Sequence, residues 1–393
     1  RAAAMIPGVP RIINAYGTNT RLGGRPLAPE VVAAMAAAAR VTVEMPALQA
    51  AASRAIAAAT GAEAGIVTAG ASAALLLAAA ACMARLDPGA MNRLPDTTGL
   101  AHEFVIIRSQ RNMYDRAIRA AGGRLVEVGI PDRISGPGVR DADLWEIAEA
   151  IGPRTAALYY LAGPRSQPAL AGVARLARER GVPLIVDAAA QLPPRENLRR
   201  FLAEGADLVC FSGGKAIGGP QASGILAGRR DLVSSALVQM LDLDLPAAQF
   251  APPPEFAPLG QLRGLPHHGL GRSCKTGKEE IAGLIVALQR FLATDPAAET
   301  AGWTARLRAV QAAAPGLALQ LVADAGKPGL PLLHWRPAHA EAIEARLRAE
   351  APAVHLDASR IEEGLLAVNP IAFEDEDAAL LGAALVAAAE GMA

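Results

Sequence analysis

The chain predicts an α/β fold with a mostly parallel sheet, followed by a smaller α+β unit. Three observations predict it. Short apolar runs alternate with alanine-rich helical runs between residues 64 and 228, at the spacing of βαβ units. A proline- and glycine-rich stretch, "FAPPPEFAPLGQLRGLPHHGLGR" (250–272), then breaks the pattern, and a different one resumes near residue 293. The chain has 393 residues, 52% of them hydrophobic, enough for a large core and more than one domain.

Each element follows in order. Residues 1–30 contain "INAYGTNTRLGGRPLAPE" and read as an extended arm with turns. An alanine-rich helix follows Pro29, and a second runs over about 48–60 and stops at Gly61. Strands are expected at 64–70, 103–109, 124–129, 155–162, 183–190, 206–212 and 222–228. Helices between them are expected at 71–86, 113–122, 141–151, 172–181 and 196–205. An amphipathic helix at 278–292 links to the smaller unit. That unit has strands near 317–323, 331–335 and 364–368 and helices at 339–349 and 375–390. The expected division is an arm with the first helix over 1–45, a large α/β domain over 46–270, and the linking helix with a small domain over 271–393.

Composition narrows the function. The formal net charge is zero, so bulk charge argues against a nucleic-acid partner. Three cysteines without a C-x-x-C pair make neither a disulfide framework nor a zinc site. They fit a reducing cytosol, so a cytoplasmic protein without a structural metal is expected. No run of about 18 apolar residues reads as a membrane span, and the N-terminus lacks the order of a signal peptide. The longest apolar stretch, 69–84, is mostly alanine and suits a buried helix. Aromatic residues make up 4%, which argues against a stacking platform for sugars or single strands.

The basic residues carry a sharper signal. Of 38, only four are lysines: Lys215, Lys275, Lys278 and Lys327. Where charge alone is needed this chain uses Arg, so a lysine among glycines, in "FSGGKAIGG", suggests amine chemistry. A plain surface lysine is the alternative. Two other features fall at strand ends, where open α/β sheets place ligands. Gly70-Ala71-Ser72 is a strand-to-helix turn whose free N–H groups suit a phosphate, or serve only as a cap. Asp187 closes "PLIVD" and needs a cationic partner if buried, or caps the next turn. Lys215 follows Asp187 by 28 residues, room for one helix and one strand. Phosphate site, carboxylate and lysine, in this order, are what pyridoxal 5'-phosphate requires. A rival is the order S-x-x-K…K-T-G of serine β-lactamases, present as Ser212-x-x-Lys215 and Lys275-Thr276-Gly277, but its S-D-N element is missing.

The chain resembles the selenocysteine synthase (L-seryl-tRNA selenium transferase) group of fold-type I pyridoxal-phosphate enzymes. Within that group it is most similar to the D-glucosaminate-6-phosphate ammonia lyase type. The resemblance runs from about residue 11 to 292. It is carried by "INAYGTNTRLGGRPL", "TAGASAAL", "LPDTTG", "RAAGGRLVEVG", "VDAAAQLPPRENL", "FSGGKAIGGPQASGILAGR" and "GRSCKTGKEEIAGLIVAL". It implies a Schiff base on Lys215, Asp187 against the pyridinium nitrogen, and Gly70, Ala71, Ser72 and Ser212 near the phosphate. Gln110 stands where the lyase type has a histidine against the cofactor ring. The resemblance implies that Arg272 and Lys275 match basic positions that hold cofactor phosphate across a subunit boundary or a substrate anion, and that Asn19 and Thr20 lie in an arm lining the active site of the same or a neighbouring subunit, a structural arm on the large domain being the alternative.

The implied reaction is α,β-elimination from a β-hydroxy amino acid, including amino sugar acids, to a 2-oxo acid and ammonia. A racemase, an aldolase, a β-replacement transferase and a non-catalytic cofactor binder are the alternatives. The implied partners are a small amino acid substrate and further copies of the same chain, as a homodimer or larger.

Overall fold

The computed structural model describes residues 6–130 and 141–391. The first five residues of the expected arm therefore lie outside it. The elements follow one another as β1 (Ile13–Ala15), α1 (Pro29–Ala39), α2 (Met45–Thr60), β2 (Ala64–Thr68), α3 (Ala71–Ala84), α4 (Pro88–Arg93), β3 (Glu103–Ile107), α5 (Arg116–Ala120), β4 (Arg124–Val128) and α6 (Leu144–Ala150). Next come β5 (Thr155–Leu161), α7 (Leu170–Arg180), β6 (Leu184–Asp187), α8 (Asn197–Ala203), β7 (Leu208–Ser212), β8 (Gly224–Gly228), α9 (Arg230–Met240) and α10 (Lys278–Ala293). The chain ends with α11 (Pro296–Ala312), β9 (Gln320–Ala323), β10 (Pro331–Trp335), α12 (Ala340–Ala349), β11 (Val354–Arg360), β12 (Leu365–Val368) and α13 (Ala378–Ala389).

These elements form two units. One comprises Ala28–Leu292, the other Arg1–Leu27 together with Ala293–Ala393. The expected boundaries near 45 and 270 are therefore displaced. Helices α1 and α10 belong with the large unit, and the arm belongs with the small one. The arm joins there because β1 pairs in parallel with β11, Ile13 opposite Val354, and Asn369 N–H donates to Ala15 O at 2.9 Å.

In the large unit seven strands run in the order β2-β8-β7-β6-β5-β3-β4. Neighbours from β4 through β7 are parallel, and β8 is antiparallel to both β7 and β2. One face carries Phe104, Ile106, Tyr159, Ile185, Cys210 and Leu226, packed on α3, α5 and α9. Helix α3 is almost wholly buried, as its apolar, alanine-rich sequence requires, and its small side chains let the helix lie close to the sheet. Gly65 permits a similar approach by α2: a Cβ there would lie 2.3 Å from Ile56 Cγ2.

The small unit has five strands in the order β1-β11-β12-β10-β9, antiparallel from β11 to β9 and parallel between β1 and β11. Its core gathers Leu333, Leu356, Leu366 and Val368 against Leu307, Ile343, Leu381 and Leu385. Sequence reading missed α4, α9, α11 and β11. Among the described residues no single helix is long and apolar enough to cross a membrane.

Candidate active site

Strand register brings Gly70, Gln110, Asp187 and Ser212 to one end of the large unit's sheet. Strand β6 ends on Asp187, which pairs with Leu161 on one side and Cys210 on the other. Side chains two residues apart share a face. Tyr159 therefore lies on the face of Leu161 and Asp187, and Ser212 on that of Cys210. This is the face packed on α3.

Asp187 is 3% exposed. Its Oδ1 accepts from Ala189 N–H at 3.0 Å, and its Oδ2 accepts from the Tyr159 hydroxyl at 3.0 Å. Burial pushes the carboxyl upward. The Ala189 N–H, the Tyr159 hydroxyl and the charge of Lys215 act against that rise, in decreasing order, and the net direction is up. Asp187 and Lys215 thus share one electrostatic neighbourhood.

Lys215 sits in the turn after β7 and is half-buried. Backbone bonds fix that turn. Gly213 N–H donates to Ser223 O at 2.9 Å, Gly219 N–H to Gly213 O at 2.8 Å, and Gly218 N–H to Lys215 O at 3.0 Å. Glycine is required by crowding: a Cβ on Gly213 would lie 2.2 Å from Ser223 Oγ, and one on Gly214 would lie 2.8 Å from Gln221 Cα.

The strand-to-helix turn closes the same end. Gly70 caps α3 with φ 98°, a conformation suited to glycine, and offers no side-chain cap. The first N–H groups of α3 therefore point outward without helical acceptors. Thr68 Oγ1 donates to Gly70 O at 2.9 Å and holds the turn. Gly224 lies opposite both Thr68 and Ser212 in the sheet. A Cβ there would sit 2.5 Å from Gly70 C and 2.7 Å from Ala71 N. That close approach sets Ser212 beside the Gly70–Ala71 turn, with Ser72 exposed just behind it.

Gln110 is 4% exposed and follows β3. Its Oε1 accepts from Leu161 N–H at 2.9 Å, and its Nε2 donates to Gln167 O at 3.4 Å. The amide is engaged at both ends by backbone, which ties β3 to the end of β5.

Within one chain Arg272 and Lys275 gather around a separate cavity. They line a cavity of about 480 Å³ with Met45, Asp242, Thr276 and Lys278, and Arg272 pairs with Asp242 at 3.0 Å. Neither Asp187 nor Lys215 lines that cavity. The S-x-x-K and K-T-G elements therefore do not converge as a β-lactamase would need. Asn19 and Thr20 lie in the small unit, where the Asn19 side chain accepts from Arg21 N–H at 2.8 Å and caps a short turn. Tyr159, Thr68 and Gly224 were not foreseen. Only the strand register, which sequence does not display, sets Tyr159 beside Asp187.

Comparison with known proteins follows this geometry. The L-seryl-tRNA selenium transferase family matches residues 12–244. D-glucosaminate-6-phosphate ammonia lyase of Salmonella typhimurium is 30% identical, with 98% of this chain and 96% of that protein aligned. A 5'-C-glycyluridine monooxygenase-decarboxylase of a Streptomyces species is 32% identical, over 94% of this chain and 87% of the other. The solved structure of a D-glucosaminate-6-phosphate ammonia-lyase superposes with a TM-score of 0.80 at 30% identity, covering 98% of this chain and 97% of that one. Fold, site end and sequence agree, and the chain belongs to the L-seryl-tRNA selenium transferase family.

Proposed function

We propose that this chain is a pyridoxal 5'-phosphate-dependent ammonia lyase acting on a β-hydroxy amino acid, with amino sugar acids as the substrate class. One observation carries the reading. A carboxylate buried at the end of a parallel strand, Asp187, and a half-buried lysine on a glycine-tied turn, Lys215, interact electrostatically at one end of the sheet. The residues fit the cofactor. A buried carboxylate calls for a cation, which a ring N–H supplies. The uncapped turn at Gly70 and Ala71, with Ser72 and Ser212 beside it, suits a phosphate. Similarity to D-glucosaminate-6-phosphate ammonia lyase over nearly the whole chain supports the reaction class.

When bound, pyridoxal phosphate supplies a cationic ring that draws off the electron pair left at the substrate α-carbon. Asp187 keeps negative charge against the ring nitrogen. Lys215 would hold the aldehyde end of the cofactor, and its amine is the base that would take the substrate α-proton. The Gly70–Ala71 turn, Ser72 and Ser212 anchor the phosphate. Gln110 has no titratable proton and serves as a neutral strap beside the ring site. Water is lost across Cα–Cβ, one water returns on hydrolysis, and the net products are a 2-oxo acid and ammonia.

Self-association accompanies this reading. It is supported by α1, where Val31 is the only buried residue, and by exposed Val32, Val41 and Val43. A sedimentation mass of twice the chain or more is expected.

The Streptomyces relative favours a second reading, loss of the α-carboxylate with oxygen consumption. Incubation with a panel of β-hydroxy amino acids, including a phosphorylated amino sugar acid, separates the two. The lyase gives ammonia and 2-oxo acid in equal amounts without oxygen uptake. Oxygen uptake with carbon dioxide release would replace it with the second reading. A change in optical rotation without ammonia would indicate a racemase and contradict both.

A further inference from the structure

We infer that Tyr159 is a positioning residue: its hydroxyl holds Asp187 in one orientation and sets how strongly that carboxylate draws the proton of the cofactor ring. The inference rests on the role proposed above for Asp187.

Tyr159 is 2% exposed and its ring is packed in the core beneath the sheet end. Its hydroxyl donates to Asp187 Oδ2 at 3.0 Å while Ala189 N–H holds Oδ1, so the carboxylate is fixed at both oxygens. Each oxygen keeps a lone pair for a further donor. A donor to a carboxylate oxygen stabilises the charged form and lowers its affinity for a proton.

The groups facing this pair are few. Lys215 approaches from the turn after β7 and is the cation acting on Asp187. Cys210 on β7 is a neutral thiol, its pKa driven up by burial. Asp115, which also acts on Tyr159, is paired with Arg111 at 2.5 Å and with Arg119 at 3.7 Å. Burial and the Asp187 charge hold the Tyr159 hydroxyl protonated far above its usual range. It is therefore a neutral, permanent donor.

Its neighbour provides a control. Tyr160 is also buried, but its hydroxyl donates to Pro168 O at 3.0 Å, on the opposite face of the strand. Tyr160→Phe removes a buried hydroxyl of the same kind and leaves Asp187 untouched.

The test uses the full chain labelled with ¹³C at Asp carboxyls, with the Asp187 signal identified by its loss in Asp187→Asn. Without cofactor, Tyr159→Phe should raise the titration midpoint of Asp187 by about one to two pH units, while Tyr160→Phe leaves it in place. With pyridoxal phosphate added, Tyr159→Phe should shift the pH midpoint of the visible absorbance and lower kcat about tenfold with KM nearly unchanged. In an Asp187→Asn background it should add no further spectral change, because the two act as a unit. An unmoved Asp187 midpoint in Tyr159→Phe, or an equal shift in Tyr160→Phe, would overturn the inference. If the wild-type chain takes up no pyridoxal phosphate, the proposed function fails and the cofactor half of this inference with it. The cofactor-free titration still decides whether Tyr159 controls Asp187.

Discussion

The seven-stranded sheet of the large unit and the five-stranded sheet of the small unit treat polar side chains in opposite ways. Strands β2, β3 and β5 to β8 are buried along nearly their whole length. In the small unit β10 alternates buried and half-buried positions, and β9 is largely exposed. Polar residues such as His334 and Asp357 are therefore unremarkable there, since one face meets water. In the large sheet a polar group must be paired or used. Asp187, Tyr159 and Gln110 cluster at one end of that sheet, which is why their presence points to chemistry.

The largest effect that would break this comparison is expected at Gly224. Gly224→Ala sets a Cβ against the backbone of Gly70 and Ala71, and neither side is a flexible side chain able to yield. A loss of about 3 kcal/mol in urea unfolding is expected, together with loss of pyridoxal phosphate uptake. A loss below about 1 kcal/mol with normal uptake would mean that the turn slides freely and does not define the site.

Asp187→Asn comes next and has the opposite sign. It should weaken cofactor binding about tenfold, still saturable at high pyridoxal phosphate, yet stabilise the cofactor-free chain by about 2 kcal/mol at pH 7, because it removes a buried charge. The folded carboxyl lies above its ordinary value of 3.8. Its contribution is therefore intact below that pH and lost as pH rises through the folded value. The advantage of Asn over Asp should thus be absent near pH 3.8 and grow on going up. Thermal melts across pH check this, and a flat difference would contradict it.

A smaller effect, confined to structure, is expected in the small unit. Arg306 donates to Pro370 O at 2.7 Å and Phe373 O at 2.5 Å, pairs with Asp375 at 2.6 Å, and lies over the Phe373 ring. Arg306→Ala should destabilise by about 1–2 kcal/mol in urea while pyridoxal phosphate affinity stays unchanged. A tenfold loss of affinity would show that polar networks in both units serve the cofactor.

The same contrast explains what the sequence made legible. Lys215 and Asp187 could be read because a rare residue type and an acid after an apolar run stand out at predicted strand ends. The strands of the large unit could be read because burial on both faces demands apolar runs. Strand β11, "VHLDASR", was missed because its half-exposed side chains break that pattern. Helix α9 was missed because Ser234, Ser235 and Gln239 are polar yet fully buried, which blurs the helical period. The placing of the arm in the small unit rests on pairing between β1 and β11, far apart in sequence, and no local signal reports it. Tyr159 stayed hidden for the same reason: its partner is set by register with the next strand.

The central claim is that Lys215 is the amine that meets the cofactor beside Asp187. Borohydride reduction of the chain after incubation with pyridoxal phosphate, followed by peptide mass spectrometry, tests it directly. The account predicts one adduct, on the peptide carrying Lys215, and a colourless Lys215→Ala variant without turnover. An adduct on Lys275, Lys278 or Lys327 in its place, or full turnover by Lys215→Ala, would contradict it.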